Sequence, residues 1–132
     1  MYATIKFDGG TRPTNPGPSA IGYIVSTDDS TERGSHHIGE ATNNQAEYHA
    51  LIQALQTAQQ MGCTDVVVRG DSQLVVKQVE GEWSVNDSEL RTLWKRVTEL
   101  AEKFEDFDIQ HVPREANGDA NRLVDKTFSE SH

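Results

Sequence analysis

The chain has very little with which to form disulfides or cross a membrane. Cys63 is the only cysteine among 132 residues, so no internal disulfide can form, and we expect its thiol to be a small buried apolar group in a reducing compartment. No apolar run approaches the roughly 18–20 residues of a membrane span, and the N-terminus lacks the apolar segment of a signal peptide. We therefore expect a cytoplasmic protein with no membrane partner and one domain over residues 1–132.

Basic residues are also scarce. Twelve lysines and arginines stand against 21 aspartates and glutamates, which gives a net charge of −9. This surplus argues against a nucleic-acid partner, because phosphates repel a negative protein. The objection disappears if the acidic residues lie on the far face, or if the protein works in concentrated salt, where the Debye length falls to about 3 Å at 1 M. The scarcity of lysine predicts a salt-adapted, halophilic surface.

The N-terminal segment carries the first candidate functional residue. Residues from Tyr2 to Phe7 alternate in polarity and predict a strand. Asp8 follows directly, and then come Gly9 and Gly10. A carboxylate at a strand end, followed by glycines that permit close backbone approach, is a common way to hold a metal and a phosphate together. Taken alone, an aspartate in a turn before a Gly-Gly hairpin is the simpler interpretation.

The remaining pattern predicts an α/β fold in the order β-β-β-α-β-α-α-β-α. Short turns join the first three strands, which predicts an antiparallel meander, and the helix before the fourth strand predicts that this strand lies parallel to the first. The expected fold class is a mixed five-stranded sheet, with three antiparallel strands followed by two parallel ones and flanked by helices. After the first strand, we predict strands over 20–26, 31–41, 64–69 and 107–112, and helices over 42–62, 72–79, 88–104 and 120–129.

Two further carboxylates lie where one metal site would need them. Glu47 is placed in the first turn of the first predicted helix, where a negative charge also stabilises the helix dipole. Asp71 follows the fourth strand, where the N-cap of the next helix is the alternative role. Because the first and fourth strands are expected neighbours, these groups and Asp8 would converge. Three carboxylates make an all-oxygen site suited to Mg²⁺ or Mn²⁺.

Four motifs, in order and at fitting spacing, resemble type 1 ribonuclease H: Asp8-Gly9-Gly10 with Asn15-Pro16-Gly17 and Gly22, Thr42 to Glu47 (TNNQAE), Gly70-Asp71-Ser72, and the C-terminal VPREANGDANRLV. The resemblance covers nearly the whole chain. It is strongest to the compact archaeal and bacterial form, because residues 81–88 leave no room for a basic protrusion. It implies a ribonuclease H-like fold and a monomeric endonuclease that cleaves the RNA strand of an RNA–DNA hybrid. It also implies two Mg²⁺ ions, with Mn²⁺ as substitute, and products that carry 5′-phosphates.

The resemblance also assigns site residues. The metal-binding residues would be Asp8, Gly9, Glu47, Asp71 and Asn121, and all of these except Gly9 would be catalytic. The substrate-binding residues would be Gly10, Thr42, Asn43, Asn44, Gln45, Ser72, Trp83 and Asn86.

Among the substrate-binding residues, the family places positions 43–45 in the minor groove, where they read bases and 2′-hydroxyls. Thr42 and Asn86 would hold a phosphate of the DNA strand, and Trp83 would line its path. Helix capping stays open as the alternative for Thr42 and Asn43, and core packing stays open for Trp83.

The last helix departs from the family pattern. The family's fourth carboxylate lies four residues after an asparagine and two before a leucine. Asn117 and Leu123 fit that frame, and the residue between them is Asn121, whose amide coordinates through oxygen without the charge. Asp119 and Asp125 lie nearby and do not obviously compensate on helical geometry. An engineered exchange and a natural variant with altered metal use both stay open.

The last loop departs as well. Many family members carry a histidine there that assists product release, whereas this chain has Arg114 and Glu115, with His111 in the preceding strand, and we assign that role to none of them. Two alternative functions stay open. One is a catalytically impaired hybrid-binding module, suggested by Asn121. The other is a different nuclease of the same superfold, such as a resolvase, against which the Thr42–Gln45 segment argues.

Overall fold

The structure is a computed structural model that describes residues 1–130. Its elements follow the predicted order. The strands are β1 (Tyr2–Thr11), β2 (Gly17–Ser26), β3 (Thr31–Ala41), β4 (Asp65–Gly70) and β5 (Asp106–His111). The helices are α1 (Asn43–Gln60), α2 (Gln73–Glu80), α3 (Ser88–Ala101) and α4 (Gly118–Ser129), with a 3₁₀ turn at Arg114–Asn117 that the sequence did not predict. Among the described residues, no helix is both long and apolar enough to span a bilayer.

The five strands form one mixed sheet in the order β3-β2-β1-β4-β5. β1 pairs antiparallel with β2, and β2 pairs antiparallel with β3. On the other side, β1 pairs parallel with β4, and β4 pairs parallel with β5. The predicted fold class is therefore confirmed, including the meander and the adjacency of β1 and β4. The N-terminal strand occupies the centre of the sheet.

β1 is longer than predicted. Its antiparallel pairing with β2 continues to Thr11 opposite Ser19, so the strand does not stop at Phe7. The parallel pairing with β4 ends where Phe7 lies opposite Gly70. Asp8 is thus the first residue beyond the parallel ladder rather than a residue after the strand. The hairpin interpretation of Asp8 is wrong, because Gly9 and Gly10 are also inside β1.

The hydrophobic core lies between the sheet and α1. Alternating residues of β1 and β4 point into it, and the α1 stripe meets them, as the 3.6-residue period predicted. The fully buried members of this interface include Ile5, Phe7, Val68, Tyr48, Leu51 and Leu55. On the other face of the sheet, α4 packs over β1, β2 and β3. There, Gly22 permits close packing, since a Cβ at this position would lie 2.8 Å from the Leu123 Cβ.

The helix boundaries differ modestly from the predicted ones. α1 begins after the predicted capping box, in which the Thr42 side chain accepts from the Gln45 N–H and the Gln45 side chain accepts from the Thr42 N–H. α3 ends at Ala101, three residues earlier than predicted, because the chain turns there to place Phe104 in the core. These differences do not move the site.

Candidate active site

Three carboxylates converge at the end of the parallel β1–β4 pair. One oxygen each from Asp8, Glu47 and Asp71 lies within 4.8 Å of the other two. Asp8 and Glu47 are each only 5% exposed, and Asp71 is partly buried. Carboxylates in this arrangement repel one another, and only a cation or a proton relieves that repulsion. The donor set is all oxygen, which fits a divalent cation of the Mg²⁺ or Mn²⁺ type.

Glu47 reaches the strand because the strand carries no side chain at Gly9. The Gly9 N–H donates to Glu47 Oε1 over 2.8 Å. A Cβ at Gly9 would lie only 2.3 Å from the Ala46 carbonyl carbon, so any larger residue would push α1 away. Glu47 is the fifth residue of α1, and not in its first turn as expected. The helix dipole therefore adds little, since its effect falls off within the first turn.

Asp71 is free for the site because its neighbour caps the next helix. Ser72, and not Asp71, is the N-cap of α2, and its hydroxyl accepts from the Val75 N–H over 3.3 Å. The alternative role of Asp71 as a cap is therefore wrong. Asp71 Oδ2 instead accepts from Asn121 Nδ2 at 3.1 Å and, more weakly, from Asn117 Nδ2 at 3.4 Å.

The electrostatics of the site favour added positive charge. Burial, and then the charge of Asp71, raises the pKa of Asp8 from its ordinary 3.8 to about 6. Burial and then Asp8 and Asp71 raise the pKa of Glu47 well above its ordinary value. Hydrogen bonds from Asn121 and Gly9, together with the charge of Arg114, lower the pKa of Asp8 and offset part of this rise.

Asn121 lies at the triad, in the register that the sequence pattern indicated. It is 7% exposed, and its amide nitrogen faces Asp71. The two nearby acids are engaged elsewhere. Asp119 pairs with Lys6 at 3.9 Å and with Arg122, whereas Asp125 pairs with Arg12. Neither belongs to the group of converging carboxylates.

Two residues of this site escaped assignment from the sequence. Asn117 is fully buried and donates to the Phe7 carbonyl over 2.9 Å. Its Oδ1 is the one buried side-chain polar atom in residues 1–130 that lacks a hydrogen-bond partner. Arg114 lies close enough for its charge to act on Asp8. The sequence signal that could have placed Asn117 in the site is its position four residues before Asn121.

The start of α1 shows which substrate candidates are already engaged. Thr42 caps the helix, which confirms the capping alternative for this residue. Gln45 Oε1 accepts from the Thr42 N–H over 2.9 Å, and its Nε2 donates to Glu89. Asn43 is not the cap, and its backbone N–H donates to Asn15 Oδ1 over 3.0 Å. The side chains of Asn43 and Asn44 make no hydrogen bond to any described residue, so they are free to meet a ligand.

The remaining substrate candidates lie in two places. Trp83 is 45% exposed, so the core-packing interpretation of this residue is wrong. It lines a cavity of about 350 Å³ with Asn86 and Trp94. Gly10 lies against α4, where a Cβ would approach Val124 Cγ1 to 3.3 Å. Ser72 is occupied as the α2 cap.

Comparisons with known proteins agree with this geometry. A family model described as reverse transcriptase-like matches residues 6–127. Ribonuclease HI of Halobacterium salinarum is 46% identical over 127 residues, which are 95% of this chain, and the chain spans 63% of the length of that relative.

Two crystal structures of relatives also superimpose closely. RNase H1 from the halophilic archaeon Halobacterium salinarum is 44% identical with a TM-score of 0.94, covering 99% of this chain and 100% of that one. LC11-RNase H1, solved in complex with an RNA/DNA hybrid, is 35% identical with a TM-score of 0.90, and 98% of each chain is covered.

Proposed function

Because this chain belongs to the type 1 ribonuclease H family, we propose that it is an endonuclease that hydrolyses the RNA strand of RNA–DNA hybrids and leaves 5′-phosphates. The observation that carries the proposal is the convergence of Asp8, Glu47 and Asp71 within 4.8 Å at the end of the parallel strand pair. The similarity to LC11-RNase H1, which was solved with an RNA/DNA hybrid, supports the substrate class.

We propose that the three carboxylates hold Mg²⁺, with Mn²⁺ as substitute, and that two ions are present in the substrate complex. Gly9 and Asn121 complete the edge of the site. When bound, the metal ions would activate a water molecule and stabilise the leaving 3′ oxygen. Other groups of the protein hold these carboxylates in position. The Gly9 N–H fixes Glu47, and the amides of Asn117 and Asn121 fix Asp71.

Substrate recognition is assigned to the start of α1 and the loop before α3. Asn43 and Asn44, whose side chains are free, would read the minor groove and its 2′-hydroxyls, which distinguish RNA from DNA. The remaining N–H of Gln45 would join them. Thr42 and Asn86 would hold a DNA-strand phosphate, with Trp83 along its path. Gly10 and Ser72 would lie beside the RNA strand at the triad.

Asn121 supports a second candidate function. Its amide nitrogen faces Asp71. Because an amide carries no charge, the site has three charged ligands and no fourth. A hybrid-binding module with impaired catalysis would show this arrangement. We favour the endonuclease, because the other three carboxylates are in place and Asn121 retains an oxygen with which to coordinate.

We further propose that the protein acts as a cytoplasmic monomer with a salt-adapted surface. One chain supplies all five residues of the proposed metal site, so no second copy is needed to complete it. The net charge of −9 and the relative from a halophilic archaeon support the salt adaptation.

A strand-specific cleavage assay tests the proposed function. Hybrids labelled on either strand, duplex DNA and duplex RNA would be incubated with Mg²⁺ and then with Mn²⁺. We expect cleavage of the RNA strand of the hybrid alone, and none with the Asp71→Asn variant. Equal cleavage of duplex DNA would favour the resolvase-type alternative, and hybrid binding without cleavage in either metal would favour the binding module.

A further inference from the structure

We propose that α3 extends the nucleic-acid surface, with Arg91 and Lys95 binding further phosphates of the DNA strand beyond the one assigned to Thr42 and Asn86. We call Trp83, Asn86, Arg91, Trp94 and Lys95 the α3 surface. The inference rests on the proposed function, because it takes the RNA–DNA hybrid as the ligand. It adds a binding surface that the motifs of the sequence do not indicate.

The α3 surface is a continuous track that leads away from Asn86. Arg91 lines the cavity of about 350 Å³ together with Trp83, Asn86 and Trp94. Arg91 and Trp94 also line the next hollow, of about 340 Å³, together with Lys95. Residues four apart on a helix are neighbours about 5–6 Å from each other. Two long, flexible cationic side chains one turn apart can therefore reach neighbouring phosphates of one strand.

The two cations of this surface have no internal partner. Arg91 and Lys95 are exposed, and neither lies within 4.0 Å of a carboxylate in residues 1–130. By contrast, six other cations form ion pairs: Lys6, Arg12, Lys77, Arg96, Arg122 and Lys126. Four further cations also lack an ion-pair partner among the described residues, and Arg91 and Lys95 differ from them in lying one turn apart on the same helix. They would bind a phosphate without breaking an existing ion pair.

Carboxylates close to the track in sequence each contact a donor elsewhere in the protein, and Glu99, one turn after Lys95, pairs with Arg96 at 3.9 Å. Glu82 pairs with Lys77 at 2.8 Å. Glu89, on the same helix, holds the Gln45 amide at the start of α1. Asp87 caps α3 by accepting from the Glu89 and Leu90 N–H groups. These hydrogen bonds and ion pairs draw each negative charge toward a donor within the protein.

A buried network holds the track in shape before any ligand arrives. Gln78 is 6% exposed, and its Oε1 accepts from the Tyr48 hydroxyl at 2.7 Å. Its Nε2 donates to the Ser84 carbonyl at 3.1 Å, and its own carbonyl accepts from Trp94 Nε1 at 3.1 Å. The loop that carries Trp83 and Asn86 is thereby tied to both α1 and α3. A preformed surface binds at a lower entropic cost than one that must be ordered, and the exposed Trp83 ring offers a face for sugar or base stacking.

The experiment measures the salt dependence of hybrid binding. Arg91→Gln, Lys95→Gln and the double variant would be made in the Asp71→Asn background, which we expect to bind without cleaving. Arg33→Gln and Lys103→Gln are matched controls, because both residues are exposed, lack a carboxylate within 4.0 Å in the described chain, and lie outside the α3 surface. Fluorescence anisotropy with a labelled hybrid gives Kd at a series of KCl concentrations.

We expect each substitution in the α3 surface to weaken binding several-fold. The plot of log binding constant against log salt should become less steep by about 0.9 for each phosphate that the variant no longer neutralises, or about 1.8 for the double variant. In the active protein, the same substitutions should raise KM with kcat unchanged. The control variants should keep the parental slope.

Three outcomes would overturn the inference in distinguishable ways. If the parental protein binds the hybrid and the double variant matches the Arg33 and Lys103 controls in both Kd and slope, the α3 surface is not a phosphate track. If the parental protein binds no hybrid at all, the proposed function fails and this inference fails with it. A hybrid extended only on its DNA strand should gain affinity through Arg91 and Lys95. A gain from an RNA extension instead would overturn the strand assignment.

Discussion

Two carboxylates of the triad, Asp8 and Glu47, lower the stability of the metal-free protein when they are charged. Asp8 and Glu47 are buried beside each other and beside Asp71, and burial raises the pKa of both groups. Neutralising one of them removes a ligand and a repulsion at once. Catalysis and metal-free stability should therefore respond in opposite directions to the same substitution.

Asp8→Asn and Asp71→Asn should each abolish cleavage with the fold intact. Loss of a group that supports a metal site typically costs about 10–100-fold, and a direct ligand costs more. Single-turnover cleavage with Mg²⁺ gives the rate, and circular dichroism checks the fold. Near-parental turnover in either variant would remove that residue from the metal site.

The metal-free stability of the parental protein should depend on pH through Asp8. Its folded pKa, about 6, lies above the ordinary 3.8, so the folded state binds more protons than the unfolded state over this interval. The stability that Asp8 contributes is therefore fully present below about pH 4 and is lost as pH rises through about 6. A pKa rise of this size corresponds to a loss of roughly 3 kcal/mol in the free energy of unfolding at neutral pH. Because Asp8 and Glu47 titrate together, the two carboxyl groups share this loss.

The test compares the parental protein with Asp8→Asn in EDTA by denaturant unfolding across this pH range. We expect Asp8→Asn to become more stable relative to the parental protein as pH rises. Added Mg²⁺ should restore the stability of the parental protein and leave that of the variant unchanged. A stability difference that does not change with pH would contradict the assignment of the titration to Asp8.

Asn121→Asp should raise the Mg²⁺-dependent rate about tenfold or more, because it restores a charged ligand. Hybrid affinity should change little, since the substrate candidates of α1 and the loop before α3 are untouched. In EDTA, the same variant should melt at a lower temperature, because the amide that now donates to Asp71 becomes a further repelling charge beside Asp8 and Asp71. Single-turnover rates and melts of both forms decide this, and an unchanged Mg²⁺ rate would exclude the ligand role.

At the scale of elements, the packing of α1 on β1 depends on one missing side chain. Gly9→Ala would place a Cβ 2.3 Å from the Ala46 backbone, which cannot move without moving the helix. Overpacking of this kind costs about 1–3 kcal/mol, occasionally more. It should also displace Glu47 and reduce cleavage strongly.

Gly10→Ala is the matched control for that prediction. A Cβ there comes closest to the side chain of Val124, at 3.3 Å, and a side chain can shift by the few tenths of an ångström required. Denaturant unfolding of both variants should show a clearly smaller loss of stability for Gly10→Ala. Equal losses would mean that the close approach of β1 and α1 does not set the position of the helix.

The sequence predicted the elements well because their signals are local. The capping box at Thr42 and the α1 stripe each lie within a few turns of one helix, and both are confirmed. The length of β1 was mispredicted, because its extension to Thr11 depends on pairing with β2 and not on its own residues. The sequence offered Asp71 as the cap of α2, and the structure has Ser72 in that role, because Asp71 forms tertiary hydrogen bonds with the last helix.

Most side-chain contacts between distant segments were not predicted from the sequence. The triad is the exception, because its convergence was expected from the adjacency of β1 and β4 and is observed. The unpaired Oδ1 of Asn117 and the Gln78 network depend on side chains that meet from separate elements. The spacing of Asn117 from Asn121 was the one signal for that residue, and the Gln78 network had none.

For the whole molecule, net charge should govern the response to salt. A charge of −9 destabilises the compact state by self-repulsion, and added salt screens it. The melting temperature should therefore rise from low to molar KCl. A melting temperature that is flat or falls with KCl would contradict the salt adaptation. Variants that lack a cation of the α3 surface should follow the same trend, since their folding does not depend on it.

The position of β1 at the centre of the sheet also determines at what stage of synthesis the active site can form. β1 leaves the ribosome before its parallel partner β4, which is not made until residues 65–70. Asn117 and Asn121, which hold Asp71, emerge later still. A nascent chain therefore carries Asp8 and Glu47 long before it can assemble the site, so hybrid cleavage should begin only once α4 has been released.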